Sequence, residues 1–465
     1  MSAKSEQASN QASSQTLSQQ AGQNLHQANE FVQGDNQVWY DPKRPDIDFG
    51  YSDGQEIEQR LAHIFANAQD LSSTSYELQS HISDWPTEYH LTPTRSNLLR
   101  VLDLSNVKRV LELGCGCGSI TRYLGEQGIE VDAVEGSPIR AELAAARNRD
   151  LPNVNISTAN FNDIDFPQDY YDLVLYVGVT EYAGRFSNGK SDEEALQDLL
   201  SLAKNAATGD GVVFVAIENR TGMKYVMGAN EDHYAKPYIG IHNYAQPAGI
   251  RTYTKKEWQG QIAIAGFSEH EFIYPFPDYK IPTIFLAEDY VQANPHCYSH
   301  LETNRSRDYV QDFPLGSKEA LLWEAAAASG TLGDYANSFL ILMSNRAESI
   351  AELSRYDFMH LPNYQRKAQY CMSIAKPKDQ DVIQRSRVIA DNDAPLLNKT
   401  ASTTTASTTA SVTFEHRVID NEPFHRGPLL SVEWARALVS YHDTSVFEQF
   451  LNCLLYTSPS PRDRG

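Results

Sequence analysis

The sequence predicts an α/β fold, a doubly wound and mostly parallel sheet with a disordered N-terminal tail and a C-terminal α+β region. Three observations predict it. From Lys108 onward, short β-branched runs alternate with amphipathic helical stretches, as βαβ units do. The first run passes straight into a glycine-rich turn, Gly114-Cys115-Gly116-Cys117-Gly118, and then into a helix. The second ends on an acid, Glu135, at the spacing where doubly wound folds bind ribose hydroxyls.

Each segment has its own reason. Residues 1–36 are mainly Gln, Ser, Ala and Asn with few large apolar side chains, so burial cannot offset the entropy of ordering them. Residues 37–107 read as an N-terminal helical extension. Within it, 57–68 is amphipathic, and a helix is expected from Thr92, with Pro93 in its first turn and Leu98, Leu99 and Leu102 on one face. Strands are expected at 109–113, 130–135, 154–159, 171–177 and 211–218, with helices at 120–127, 138–147 and 193–206 between them. Ser137 caps the second helix ahead of Pro138. Thr254 and Glu257 form a capping-box pattern for a helix ending near Gly266, and 270–274 and 282–287 complete the sheet. The ligand-binding domain so drawn covers 108–290.

Residues 291–452 form an unassigned α+β region, with a helix at 318–329, a strand at 338–344 and a flexible Thr/Ser/Ala insertion at 400–412. Residues 453–465 (CLLYTSPSPRDRG) read as translated adapter sequence, with the true chain continuing beyond Asn452.

Composition narrows the function. A formal net charge of -21 disfavours nucleic acid and anionic membrane surfaces as partners. No apolar run approaches the ~18 residues of a membrane span, and no signal pattern opens the chain. Five cysteines show no regular spacing, and reduced thiols in the cytoplasm are expected.

The chemistry centres on Val110-Leu-Glu-Leu-Gly-Cys-Gly-Cys-Gly-Ser119. Gly114, Gly116 and Gly118 let the backbone turn tightly and approach a ligand. Glu112 suits a cationic amine and would repel a phosphate. S-adenosylmethionine (SAM) offers such an amine and no phosphate, whereas a dinucleotide loop wants a third glycine where Ser119 stands. Glu135 is placed for the ribose. Asn160 can accept from the adenine amine while Phe161 packs on the base. Cys115 and Gly136 lie in the same turns and are counted with the cofactor-binding set.

VLELGCGCGS, VDAVEGS, ANFND and YDLVLYVGVTEY together resemble the successive motifs of class I SAM-dependent methyltransferases, a Rossmann-like family. The resemblance implies that Glu112 and the three glycines hold the methionine side, Glu135 the ribose, and Asn160 with Phe161 the adenine. Asn160 replaces the acid usual at that position. EYHLTPTRSNLLR, AIENRTGMKYVMGANEDHY, RTYTKKEW and YPFPDYKIPT further resemble methyltransferase domains of bacterial surface-polysaccharide clusters. That resemblance implies a glycan or lipid-linked sugar acceptor and a glycosyltransferase partner.

A hydroxyl acceptor benefits from a general base. His233 is expected to be that base, oriented by Asp232 or Glu231, in the insertion after the fifth strand. Arg251, Tyr253, Asp278 and Lys280 are candidates to bind acceptor hydroxyls or to satisfy one another, and no spaced set of metal ligands stands out. The alternatives are methylation of a protein or small molecule, with Glu181 as a substrate-binding acid, and a non-catalytic SAM-binding module.

Overall fold

The computed structural model describes residues 24–44, 54–187, 189–244, 249–302, 304–311, 319–362, 364, 371–389 and 415–423. In chain order the first strands are Val32–Gln33 (β1), Val38–Tyr40 (β2), Arg109–Leu113 (β3), Glu130–Glu135 (β4), Val154–Thr158 (β5), Tyr171–Val177 (β6) and Ala207–Glu218 (β7). A short hairpin, Asn230–Glu231 (β8) and Lys236–Pro237 (β9), stands apart. Then come Glu269–Phe276 (β10), Ile284–Ala287 (β11), Ser338–Ser344 (β12), Tyr356–His360 (β13), Met372–Pro377 (β14), Val382–Ile389 (β15) and Glu415–Pro423 (β16).

One sheet contains all but β8 and β9, in the order β1-β2-β5-β4-β3-β6-β7-β12-β10-β11-β13-β14-β15-β16. From β2 to β7 the neighbours run parallel, and strand order reverses between β3 and β6. Ligands bind at such a switch point, outside the carboxyl ends of the strands. The central strands are buried on both faces: Val110, Leu111 and Leu113 of β3 have no exposed surface, as a doubly covered parallel sheet requires. The helix Asp192–Ala206 shows why the covering layer forms. Ser191 and Glu194 make a capping box, three acids occupy the first turn, and Ala195, Leu196, Leu199, Leu200 and Ala203 bury one face.

The fold is the Rossmann-like α/β class the sequence predicts. Four expected features differ in place. Residues 24–36 are ordered within the expected tail: Leu25 and Phe31 are buried in the main core, and β1 pairs with β2. The extension is not wholly helical, because β2 adds in parallel to β5 and covers that edge. The segment after Thr92 begins as a 3-10 turn, Pro93–Ser96, before the helix Asn97–Arg100.

The fourth concerns the boundary at 290, which does not divide the sheet. β12 lies antiparallel between β7 and β10, pairing Phe339 with Ile217 and Leu340 with Ile273. Its side chains are all buried, so no other exposed face competes for it. The insertion at 400–412 and the segment 453–465 lie outside the described residues. No helix among the described residues is long and apolar enough to cross a membrane.

Candidate active site

The glycine turn follows β3 and precedes the helix Ser119–Glu126. Gly114, Gly116 and Gly118 have φ of +80°, +57° and +75°, a region that L side chains rarely adopt. Contacts within the protein also exclude a Cβ here. A Cβ at Gly114 would strike Val179, and one at Gly118 would meet Asn148 and Ala144. Gly118 does not line the cavity and acts as the left-handed residue that starts the helix. The other cofactor-binding candidates, Glu112, Gly114, Cys115, Gly116, Glu135, Gly136, Asn160 and Phe161, all line one cavity of about 330 Å³.

Glu112 is buried, with one oxygen accepting from the Thr121 hydroxyl at 2.6 Å. Burial pushes its pKa up to about 8, against the Thr121 hydrogen bond and the Arg95 charge. Arg95 was not anticipated. It is buried, donates to Tyr89 at 2.7 Å and to the carbonyls of Tyr279 and Lys280, and lines the same cavity. Glu135 accepts from the amides of Gly116 at 2.8 Å and Ser137 at 3.0 Å, one on each oxygen. That leaves a lone pair on each for a ligand hydroxyl. The oxygen of Asn160 accepts from the Asn162 amide at 3.1 Å, so it caps a 3-10 turn as well as facing the cavity.

This end of the cavity fits the SAM implied by the motifs. Glu112 is a buried acid in the cavity wall whose pKa burial raises, and a ligand ammonium beside it would favour its ionised form. The turn presents backbone at Gly114 and Gly116 to the cavity.

The opposite end is a network of charged side chains. His233 Nδ1 lies 2.8 Å from Glu231 Oε1, and Nε2 lies 3.5 Å from Glu181 Oε1. Asp232, the other expected partner, turns away to Lys280 at 2.6 Å, Lys224 at 2.9 Å and the Tyr225 hydroxyl at 3.0 Å. The reason is local: Glu231 Oε2 accepts from the amides of His233 and Tyr234, which folds this carboxylate under the ring. Burial opposes a charged imidazole, but the hydrogen bonds to Glu181 and Glu231 outweigh it and raise the His233 pKa well above the usual value. The two carboxylates thus favour the imidazolium form of His233. Burial also disfavours ionised Asp232, yet Lys224 and Lys280 hold its pKa below the ordinary range.

Glu218, at the carboxyl end of β7, was missed, although the strand-end rule points to it. It pairs with Lys280 and shares the cavity with Glu181. Asp278 accepts from Tyr309 at 2.9 Å and lies 3.4 Å from Lys224. Lys280 thus belongs to the site, whereas Arg251 and Tyr253 are not part of the cavity lining. Glu181, Glu218 and His233 bring ligand atoms within 4.8 Å of one another, a set hidden in the sequence because three separate segments supply it.

Residues 111–212 match the family model of a methyltransferase domain. It is 25% identical over 147 residues to a ubiquinone biosynthesis O-methyltransferase of Rickettsia conorii, covering 31% of this chain and 47% of that protein. It is 27% identical over 151 residues to an uncharacterized methyltransferase of Staphylococcus carnosus, covering 30% of this chain and 67% of that one. The chain spans about half the length of the Rickettsia relatives it matches. Among solved structures, a SAM-dependent methyltransferase from Archaeoglobus fulgidus aligns at 14% identity and a TM-score of 0.30, covering 51% of this chain and 85% of that one.

Proposed function

We propose that this protein transfers a methyl group from SAM to a hydroxyl oxygen of an acceptor. One observation carries the reading: the cavity has a cation-seeking acid and a glycine turn at one end, and a carboxylate–imidazole cluster at the other. SAM, when bound, supplies a methyl group on a sulfonium that is displaced in line, so alignment accounts for much of the acceleration. Glu112 would hold the ammonium, Glu135 the ribose hydroxyls, and Phe161 the face of the base. The acceptor hydroxyl would seat against Glu181, Glu218 and His233, and its proton would pass to that cluster. Asp232, paired with two lysines, holds Lys280 beside Glu218 and positions the cluster.

The similarity to the Rickettsia ubiquinone biosynthesis O-methyltransferases supports an oxygen acceptor. The surface-polysaccharide motifs support a sugar hydroxyl on a glycan or lipid-linked intermediate, with a glycosyltransferase as partner. The buried thiols of Cys115 and Cys297 agree with a cytoplasmic setting.

The test is formation of S-adenosylhomocysteine with purified protein, SAM and glycan or lipid-linked sugar acceptors. His233→Ala should lower turnover roughly a hundredfold and leave SAM affinity almost unchanged. Absence of SAM binding would sink the reading. SAM binding without product on any acceptor would favour the non-catalytic module, and methylation of amines alone would remove the hydroxyl acceptor.

A further inference from the structure

The acceptor end holds more carboxyl side chains than cationic ones facing them. Glu181, Glu218, Glu231, Asp232 and Asp278 are buried or nearly so, facing Lys224, Lys280 and His233. Besides Asp232 Oδ1, whose carboxylate is paired with two lysines, two carboxylate oxygens of the cluster, Glu181 Oε2 and Glu218 Oε2, are buried with no hydrogen-bond partner among the described residues. Both residues line the cavity, and a buried anionic oxygen without a partner carries a desolvation cost that a bound cation would offset.

The geometry suits a metal ion. The ligand atoms of Glu181, Glu218 and His233 all lie within 4.8 Å of one another, and Glu181 Oε1 is 3.5 Å from His233 Nε2. Ligands about 2.1 Å from an octahedral ion stand ~3.0 Å apart when adjacent and ~4.2 Å apart when opposite. An ion therefore fits between these side chains with small rotations. Lys280 occupies Glu218 Oε1, which leaves Oε2 for the ion.

His233 has the supporting shell that metal-binding histidines show. Its Nδ1 is engaged by a carboxylate, Glu231 Oε1, which fixes the ring and aims Nε2 at Glu181. Glu231 is itself pinned by two backbone amides, so the orientation is built into the loop. One imidazole nitrogen with two carboxylates suits Mn²⁺, Fe²⁺ or Zn²⁺ better than an all-oxygen calcium site.

We propose that Glu181, Glu218 and His233 form a binding site for a first-row divalent metal ion, oriented through Glu231. Occupancy of the site is independent of the methyltransferase reading; its value in binding the acceptor oxygen rests on that reading.

The experiment uses the full chain, stripped with EDTA and titrated with Mn²⁺ while free Mn²⁺ is followed by electron paramagnetic resonance. One equivalent should bind. His233→Gln and Glu218→Gln should each weaken binding at least tenfold, and Glu231→Gln by 10–100-fold. His242→Gln, a histidine outside the cavity, should leave it unchanged. Pulsed electron resonance on the wild type should show ¹⁴N coupling from one imidazole, a readout that does not depend on any variant folding. Failure to bind Mn²⁺ below millimolar concentration, absence of the nitrogen coupling, or equal affinity in folded variants would overturn the proposal. SAM binding and S-adenosylhomocysteine formation, measured in parallel, separate failure of the metal site from failure of the proposed function.

Discussion

At the residue scale, Glu112 shows how a buried acid in the cavity wall burdens the fold. Its folded pKa of about 8 lies above the ordinary carboxylate value of 4.5. Between those values the unfolded chain releases a proton that the folded protein retains, so stability falls as pH rises through the window. The loss by neutral pH is on the order of 3 kcal/mol. Glu112→Gln should therefore raise the melting temperature at pH 8 relative to wild type, change it little at pH 4, and weaken SAM binding. A melting temperature equal to wild type at both pH values would show that Glu112 is not buried as a neutral acid. The residue itself was legible, because a carboxylate two positions before a glycine turn excludes phosphate. The partner of His233 was not. Glu231 and Asp232 both flank it closely in sequence, and only the amides of His233 and Tyr234 decide which carboxylate turns under the ring.

At the element scale, β2 and the short helix Leu25–Ala28 correct a reading made from composition. The polar N-terminal residues suggested disorder because average apolar content was low. Averages miss single anchors: Leu25 is fully buried, His26 Nε2 lies 3.1 Å from the Ser157 hydroxyl, and the His26 ring stacks on Trp39 at 4.2 Å. Leu25→Ala should cost about 2–5 kcal/mol in denaturant unfolding, the range for emptying a buried leucine site. A change below about 0.5 kcal/mol would indicate that the segment contributes nothing to the core. The strands β3, β4, β6 and β12 carry the limits expected from sequence, since each is a short run rich in Val, Leu, Ile, Ala or aromatic residues. β7 begins at Ala207, earlier than expected, because Thr208 to Asp210 lack the β-branched pattern that marks its buried half.

At the scale of the whole molecule, strands β3 to β7 of the parallel half were legible, whereas β2 and the completion of the sheet were not. Periodicity identifies a strand at 338–344 but says nothing about its neighbours, and its slot lies between two strands from earlier in the chain. A fragment of residues 108–290 leaves β7 and β10 without their shared partner and should be insoluble or lack cooperative unfolding. A fragment of residues 24–362 restores β12 and should unfold as one transition by circular dichroism. Cooperative unfolding of 108–290 alone would show that β12 is dispensable. The placement of β12 also bears on how the chain is born. While a ribosome delivers residues in order, β7 and β10 must wait, separated and apolar, until Ser338–Ser344 emerges. Pairings so distant in sequence form slowly, and exposed strand edges invite aggregation in the interval. Nascent chains arrested before Ser338 should therefore engage chaperones, and release from them should coincide with the emergence of that strand.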